Sequence, residues 1–237
     1  MGDASGNRPA MRRARAEREH GRPDGAISTF PVRAALPRAF YARPVLQVAR
    51  DCIGKLVIHA CPDGITAGRV VEAEAYRGPE DLAAHSSGGR RTSRTEVMFG
   101  PAGYAYVFLI YGMHFHLNLV TGGVDEPHAV LLRAVEPTEG QALMAARRGI
   151  DVARRELTNG PGKLCQALGV TKRDYGVDLC DASDLYLTEG TAPRRVARAP
   201  RIGVDYAGAW AARPWRFFDP DSAYVSDAKK ARGRDAR

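Results

Sequence analysis

The sequence predicts one mixed α+β domain in which strands dominate and helices flank them. Three observations carry this. Runs of β-branched and aromatic residues crowd residues 55–135, the helix-like stretches carry their own stop signals, and no segment repeats. A chain of 237 residues is long enough to bury one sizeable core.

Ala39 to Ile53 reads as a short helix, with Pro44 near its first turn and Gly54 as its stop. Lys55–Ala60 and Gly68–Tyr76 read as strands joined through Pro62-Asp63-Gly64, a hairpin signal. A polar, Gly-rich loop runs from Arg77 to Pro101, longer than a mere connector and of the kind that is functional or mobile. Tyr104–Tyr111 and His114–Val120 are predicted strands, with Tyr111-Gly112-Met113 at the tip between them. Ala129–Val135 is a further apolar strand. Thr138-Glu139-Gly140-Gln141 has the form of a capping box opening a helix to about Arg148. A second helix is expected from Pro161 to Leu168, closed by Gly169, and residues 196–228 read as short strands and turns around Trp210, Trp215, Phe217 and Phe218.

The formal net charge of +8 lies wholly at the ends. Residues 1–38 and 229–237 carry +4 each, while 39–228 balances 22 basic against 22 acidic residues. We take residues 1–35 and 228–237 as disordered basic tails around a domain at 36–227. Such arms hold DNA through counterion release or simply keep a protein in solution, and charge alone does not choose. No apolar run approaches a membrane span and the N-terminus has no hydrophobic signal core, so a cytoplasmic protein is expected. Cys52, Cys61, Cys165 and Cys180 show no C-x-x-C spacing and are expected as free thiols.

The chemistry begins at Val70–Tyr76. Strand alternation puts Glu72, Glu74 and Tyr76 on one face. Two carboxylates one pleat apart need solvent or a cation. Arg133 lies in the otherwise apolar Ala129–Val135, and a guanidinium there is rarely buried unless paired. Arg133 is therefore expected to meet one of the two glutamates in a semi-buried polar site; a plain core ion pair fits the same residues. His114 and His116 form an H-x-H pair, but further metal ligands are missing nearby, and we assign no metal. Gly160-Pro161-Gly162-Lys163 lacks the P-loop spacing and reads as a helix-capping turn.

Several long segments, in order, carry a resemblance. VVEAEAYRGPEDLAAHSSGGRRTSRTEVMFGPAG, YAYVFLIYGMHFHLNLV, HAVLLRAVEPTEG, NGPGKLCQALGV and RIGVDYAGAWAARPWRF closely resemble the mammalian-type 3-methyladenine (alkyladenine) DNA glycosylase family over roughly residues 36–227. The resemblance implies a curved antiparallel sheet like the C-terminal domain of methionyl-tRNA formyltransferases. It implies hydrolytic excision of alkylated or deaminated purines from double-stranded DNA, without a cofactor. Glu74 then looks like the general base on the attacking water, with Arg133 and the Val204 carbonyl as further water ligands. Tyr76 and His85 look like one wall of the base pocket and Phe108 like the other, with Asn118 screening the minor-groove edge of the base. Tyr111 looks like the wedge in the minor groove, with Met113 beside it on the DNA. Phe108 replaces the tyrosine of mammalian members, which implies an altered substrate range. A pocket within one domain requires no second subunit, so a monomer is expected. A nucleosidase would share the carboxylate and aromatic pocket but has no use for Tyr111. A non-catalytic nucleic-acid-binding module has no use for Glu74 and Arg133.

Overall fold

The computed structural model describes residues 33–182 and 184–226. The expectations for the two tails therefore fall largely outside the described residues. The packed chain is engaged by Ala34, whose carbonyl accepts a hydrogen bond from Thr188 Oγ1 at 2.7 Å.

Eight strands form one antiparallel sheet: β1 (Leu56–Cys61), β2 (Gly64–Arg77), β3 (Ala105–Ile110), β4 (His114–Thr121), β5 (His128–Glu139), β6 (Leu185–Thr188), β7 (Ala197–Ala199) and β8 (Arg216–Phe218). The main path runs β3-β4-β5-β2-β1-β6, with β8 pairing β2 and β7. The helices among the described residues are α1 (Arg38–Tyr41), α2 (Val45–Asp51), α3 (Gln141–Arg148) and α4 (Pro161–Leu168). An open antiparallel sheet with few helices is the predicted α+β class. Among the described residues, no helix is long and apolar enough to cross a membrane.

Two local expectations are corrected. The helix at Ala39–Ile53 is two helices, α1 and α2, because Pro44 offers no N–H and biases Arg43 away from helical backbone; Pro44 serves as the N-cap of α2. The capping box at Thr138 and Glu139 does not form. β5 runs through both residues, and Gly140 opens α3 from a left-handed conformation with no side-chain cap. A Cβ at Gly140 would sit 2.3 Å from the Ile65 carbonyl oxygen, so the close approach of β2 also demands glycine there. The Pro161–Leu168 helix with its Gly169 stop and the tight Pro62–Gly64 hairpin are as read from the sequence, and the four cysteines are free.

The alternation of the strands divides the residues between two faces. Ala73 and Ala75 of β2, Ala105 and Val107 of β3, Leu117 and Leu119 of β4, and Val130 and Leu132 of β5 pack in the main core. Val48 of α2, Met144 of α3 and Leu164 and Leu168 of α4 cover them. The alternate positions, Glu74, Tyr76, Tyr106, Phe108, His116 and Asn118, are left for the opposite face. Among the described residues no long helix covers that face. The long loop and the segment after β7 lie there instead. The loop is more than a polar excursion: its turns Ser87–Gly89 and Glu96–Phe99 are 3-10 helical. Val97, Met98 and Phe99 bury themselves against Tyr106, Val120 and Ala129.

Candidate active site

β2 and β5 hold the charged centre, and an irregularity in their ladder creates it. Val70 faces Val135, Glu72 faces Ala134 and Ala73 faces Leu132, so β5 spends one extra residue, Arg133, opposite the Glu72–Ala73 step. A bulge of this kind re-aims a side chain, and bulges cluster near active sites. The Arg133 guanidinium reaches both carboxylates, with Nε 3.3 Å from Glu72 Oε1 and a terminal nitrogen 3.3 Å from Glu74 Oε1. The expected pairing with one glutamate is thus a pairing with two. The expected semi-buried setting is a buried one: Glu72 and Glu74 are 0% exposed and Arg133 is 7% exposed.

The two carboxylates differ in how they are satisfied. Glu72 accepts from Arg133, from Arg216 at 2.9 Å, and from the Ser226 backbone N–H at 2.8 Å and hydroxyl at 2.6 Å. Four donors leave it little capacity for anything else. Glu74 Oε1 accepts the Ile202 backbone N–H at 2.8 Å and faces Arg133. Glu74 Oε2, among the described residues, accepts only the Tyr76 hydroxyl, at 2.8 Å. Two acids and two guanidiniums, Glu72 and Glu74 with Arg133 and Arg216, balance one another out of water. Burial and the Glu74 carboxylate beside it raise the Tyr76 phenol well above its ordinary pKa, so it stays a donor.

Residues 201–211 close over this centre. The Arg201–Asp81 ion pair is fully buried, and Arg201 also donates to the Ala75 carbonyl at 2.9 Å. Its guanidinium lies 4.7 Å from the Tyr76 ring centroid and 5.2 Å from that of Trp215. Asp81 in turn accepts the Ala83 N–H at 3.0 Å, so the root of the long loop is tied to the site. Val204 is buried with Ala83 and Ala207, and Tyr76 packs on that cluster. Its carbonyl accepts the Ala207 N–H at 2.9 Å.

The aromatic wall stands on β3, β4 and the loop. His85 lies edge-on to Phe108, with centroids 4.5 Å apart, and its Nδ1 is 2.8 Å from the Tyr106 hydroxyl. Arg94 donates to the His85 ring at 2.8 Å and stands 5.1 Å over Phe108. The same Arg94 nitrogen lies 3.0 Å from Nδ1, so both ring nitrogens are within its reach. Burial first, then the nearby Arg94 charge, lowers His85 to about 4, so the ring is neutral at neutral pH. Phe108 faces His116 directly across the β3–β4 ladder, with centroids 5.3 Å apart. Asn118, two residues further along β4, is buried and its amide donates to the Tyr106 carbonyl at 3.1 Å.

At the end of this hairpin Met113 N–H bonds the Ile110 carbonyl at 3.1 Å. Tyr111 takes φ 52° and Gly112 φ 68°. Left-handed backbone at two successive positions matches the twist of a hairpin, but is unusual for tyrosine. Tyr111 is 84% exposed and Met113 71% exposed, two large apolar side chains in open solvent.

The structure thus joins Glu74, Arg133 and Tyr76 by direct bonds and seats Val204 against Tyr76. It groups His85, Phe108 and Asn118 around Tyr106 and leaves Tyr111 and Met113 at the hairpin tip. Sequence reasoning did not single out Ile202, Arg201, Asp81, Tyr106 or Arg94. All five stand inside the segments that carry the resemblance, but a backbone N–H such as that of Ile202 leaves no trace in residue type.

A family model described as "Methylpurine-DNA glycosylase (MPG)" matches residues 39–223. Three similar proteins carry the name "Putative 3-methyladenine DNA glycosylase". One from Methanocella arvoryzae is 50% identical over 84% of this chain and 98% of its own length. One from Bacillus licheniformis is 46% identical over 83% and 98%, and one from Myxococcus xanthus 50% over 81% and 93%.

Proposed function

Since the chain belongs to the methylpurine-DNA glycosylase family and is a DNA N-glycosylase, we propose that it flips damaged purines out of duplex DNA. It then excises them by hydrolysis, with Glu74 activating the water. One observation carries the reading: among the described residues, of two buried carboxylates on one face, only Glu74 keeps an oxygen with a single hydrogen bond, while Glu72 is saturated. A general base must have room to accept a proton, and Glu74 has it.

In this reading Arg133 and the Val204 carbonyl help hold the water. Tyr76 and His85 stack on one side of the extruded base and Phe108 on the other, which requires the His85 and Phe108 rings, 4.5 Å apart in the free protein, to part as the base enters. Asn118 screens the minor-groove edge. Tyr111 fills the vacated space in the duplex, with Met113 on the neighbouring backbone. Positive charge develops on the deoxyribose as the C1′–N9 bond breaks, and the Glu74 carboxylate opposes it. The substrate class is alkylated and deaminated purines: 3-methyladenine, 7-methylguanine, hypoxanthine and ethenoadenine. The protein acts as a monomer and without a cofactor, on a sheet of the formyltransferase C-terminal-domain type.

The test is incubation with duplexes carrying hypoxanthine, ethenoadenine or 7-methylguanine, scored for abasic sites, alongside free inosine. Abasic sites in DNA with inosine left intact support the reading. Cleavage of inosine alone makes the protein a nucleosidase, and binding without release makes it a non-catalytic module.

A further inference from the structure

His116 is the histidine of the pocket that the wall does not use. It faces Phe108 across the β3–β4 ladder and meets the ring at 62°, as His85 does at 77° from the loop. It shares a sheet face with Asn118 by strand alternation. The last β4–β5 pair is Asn118 with Leu131, so continuing that register by two residues points His116 at Arg133. His116 therefore stands between the aromatic wall and the charged centre.

Its hydrogen bonding differs from that of His59 and His85. His59 is held by the Leu168 carbonyl at 2.9 Å and by Asp174 at 3.3 Å, and His85 by Tyr106 and Arg94. Among the described residues no hydrogen bond is made to the half-buried His116 ring. A half-buried ring without a protein partner leaves its nitrogens free to bond water or a bound base. The groups facing it are Arg133 from β5, His114 from β4 and His85 from the loop. Burial, then the charges of Arg133 and His114, lower its pKa to about 4. At neutral pH it offers one N–H donor and one ring-nitrogen acceptor.

We propose that His116 is a specificity-determining residue whose ring N–H hydrogen-bonds an acceptor on the edge of the extruded purine, favouring neutral lesions over cationic ones. This deepens the reading of the site given above and rests on it. When C1′–N9 breaks, the bonding electron pair goes to the purine. A cationic purine such as 7-methylguanine leaves as a neutral base. A neutral one such as hypoxanthine builds negative charge on its ring acceptors, where a positioned donor strengthens as the bond breaks. The water oxygen bonds C1′, its proton passes to Glu74, and that proton later neutralises the departed base. The guanidinium of Arg94, 5.1 Å over Phe108, adds a charge that opposes a cationic base at the same wall.

The experiment measures single-turnover release of hypoxanthine and of 7-methylguanine from otherwise identical duplexes by wild type, His116→Leu and His116→Gln, with melting temperatures as a folding control. The ratio of hypoxanthine to 7-methylguanine rates is expected to fall about 100-fold in His116→Leu, as for loss of one positioned donor. His116→Gln, which keeps an N–H, should restore most of the ratio. A ratio in His116→Leu within about twofold of wild type, whatever the absolute rates, overturns the proposal, because packing alone acts on both substrates. Wild-type protein that releases neither base overturns the purine reading of the site, and this inference with it.

Discussion

Glu74→Gln removes the acceptor charge at the centre of the site while keeping its shape. The amide oxygen can still accept the Ile202 N–H, now at 2.8 Å from Oε1. The amide NH2 replaces Oε2, and the Tyr76 hydroxyl, a donor at 2.8 Å, can turn to accept. The charge balance changes more. Glu72 alone would face Arg133 and Arg216, leaving one excess positive charge among 0–7% exposed groups. Removing one partner of a buried pair costs about 3–5 kcal/mol, and the low end applies because Arg133 keeps Glu72. Catalysis should fall further: a positioned general base contributes about 10²–10⁴-fold, or about 3–5 kcal/mol of barrier. Single-turnover excision on a hypoxanthine duplex at saturating enzyme measures the rate, anisotropy on the same duplex measures binding, and urea denaturation separates unfolding. Excision within about fivefold of wild type by a folded variant would remove Glu74 from the chemistry. Loss of lesion binding in parallel with the rate would equally refute the reasoning, since the substitution retains the contacts of the pocket.

Four further outcomes are expected. Tyr111→Ala should slow excision from a paired lesion more than from the same lesion in a mismatch, where unpairing costs less; equal losses would deny it the wedge role. Asn118→Ser should let guanine be released from a mismatch at matched folded concentration, because the amino group that distinguishes guanine from hypoxanthine would no longer meet the amide. A variant that only loses stability would assign Asn118 to its bond with the Tyr106 carbonyl. Arg201→Met should lower unfolding free energy by about 3–5 kcal/mol in urea, because Asp81 is left buried and unpaired; an unchanged midpoint would contradict the buried pair. His59 is raised from 6.5 to about 10 against the opposing effect of its burial, chiefly by the hydrogen bond with Asp174. Its stabilisation is therefore complete below pH 6.5 and lost as pH rises through about 10, so the melting temperature should drop less between pH 6 and 10 in His59→Asn than in wild type. Equal drops would place the titration elsewhere.

The strands and their contents were legible because alternation is short-range. Glu74, Tyr76 and Arg133 announced themselves as polar residues at positions where their neighbours are apolar. What alternation could not show was the extra residue in β5, since a bulge is a property of two strands compared. That is why one pairing was expected for Arg133 and two were found. Glu72 and Glu74 were equal in sequence, and only Ser226 and Arg216, more than 140 residues away, separate their roles. The failed capping box has the same origin: Thr138 and Glu139 have the residue types of a helix start, but β5 continues through them, with Pro137 paired to Gly68 and Glu139 to Ala67 of β2, and this outweighs local capping. Resemblance, rather than pattern, gathered His85, Phe108 and Tyr111 onto one list.

β3 carries both Phe108 and, one residue past its end, Tyr111. In the proposed reading the two surfaces that a flipped nucleotide exchanges are thus mounted on a single rigid lever about 10 Å long, three residues of extended chain. Advancing the hairpin into the groove must present the receiving wall in the same stroke, so probing DNA and opening the binding pocket become one movement rather than two. The spacing works as a gauge set by peptide geometry. One residue inserted between Phe108 and Tyr111 would turn the probe to the other side of the strand, and the gauge would no longer read the duplex.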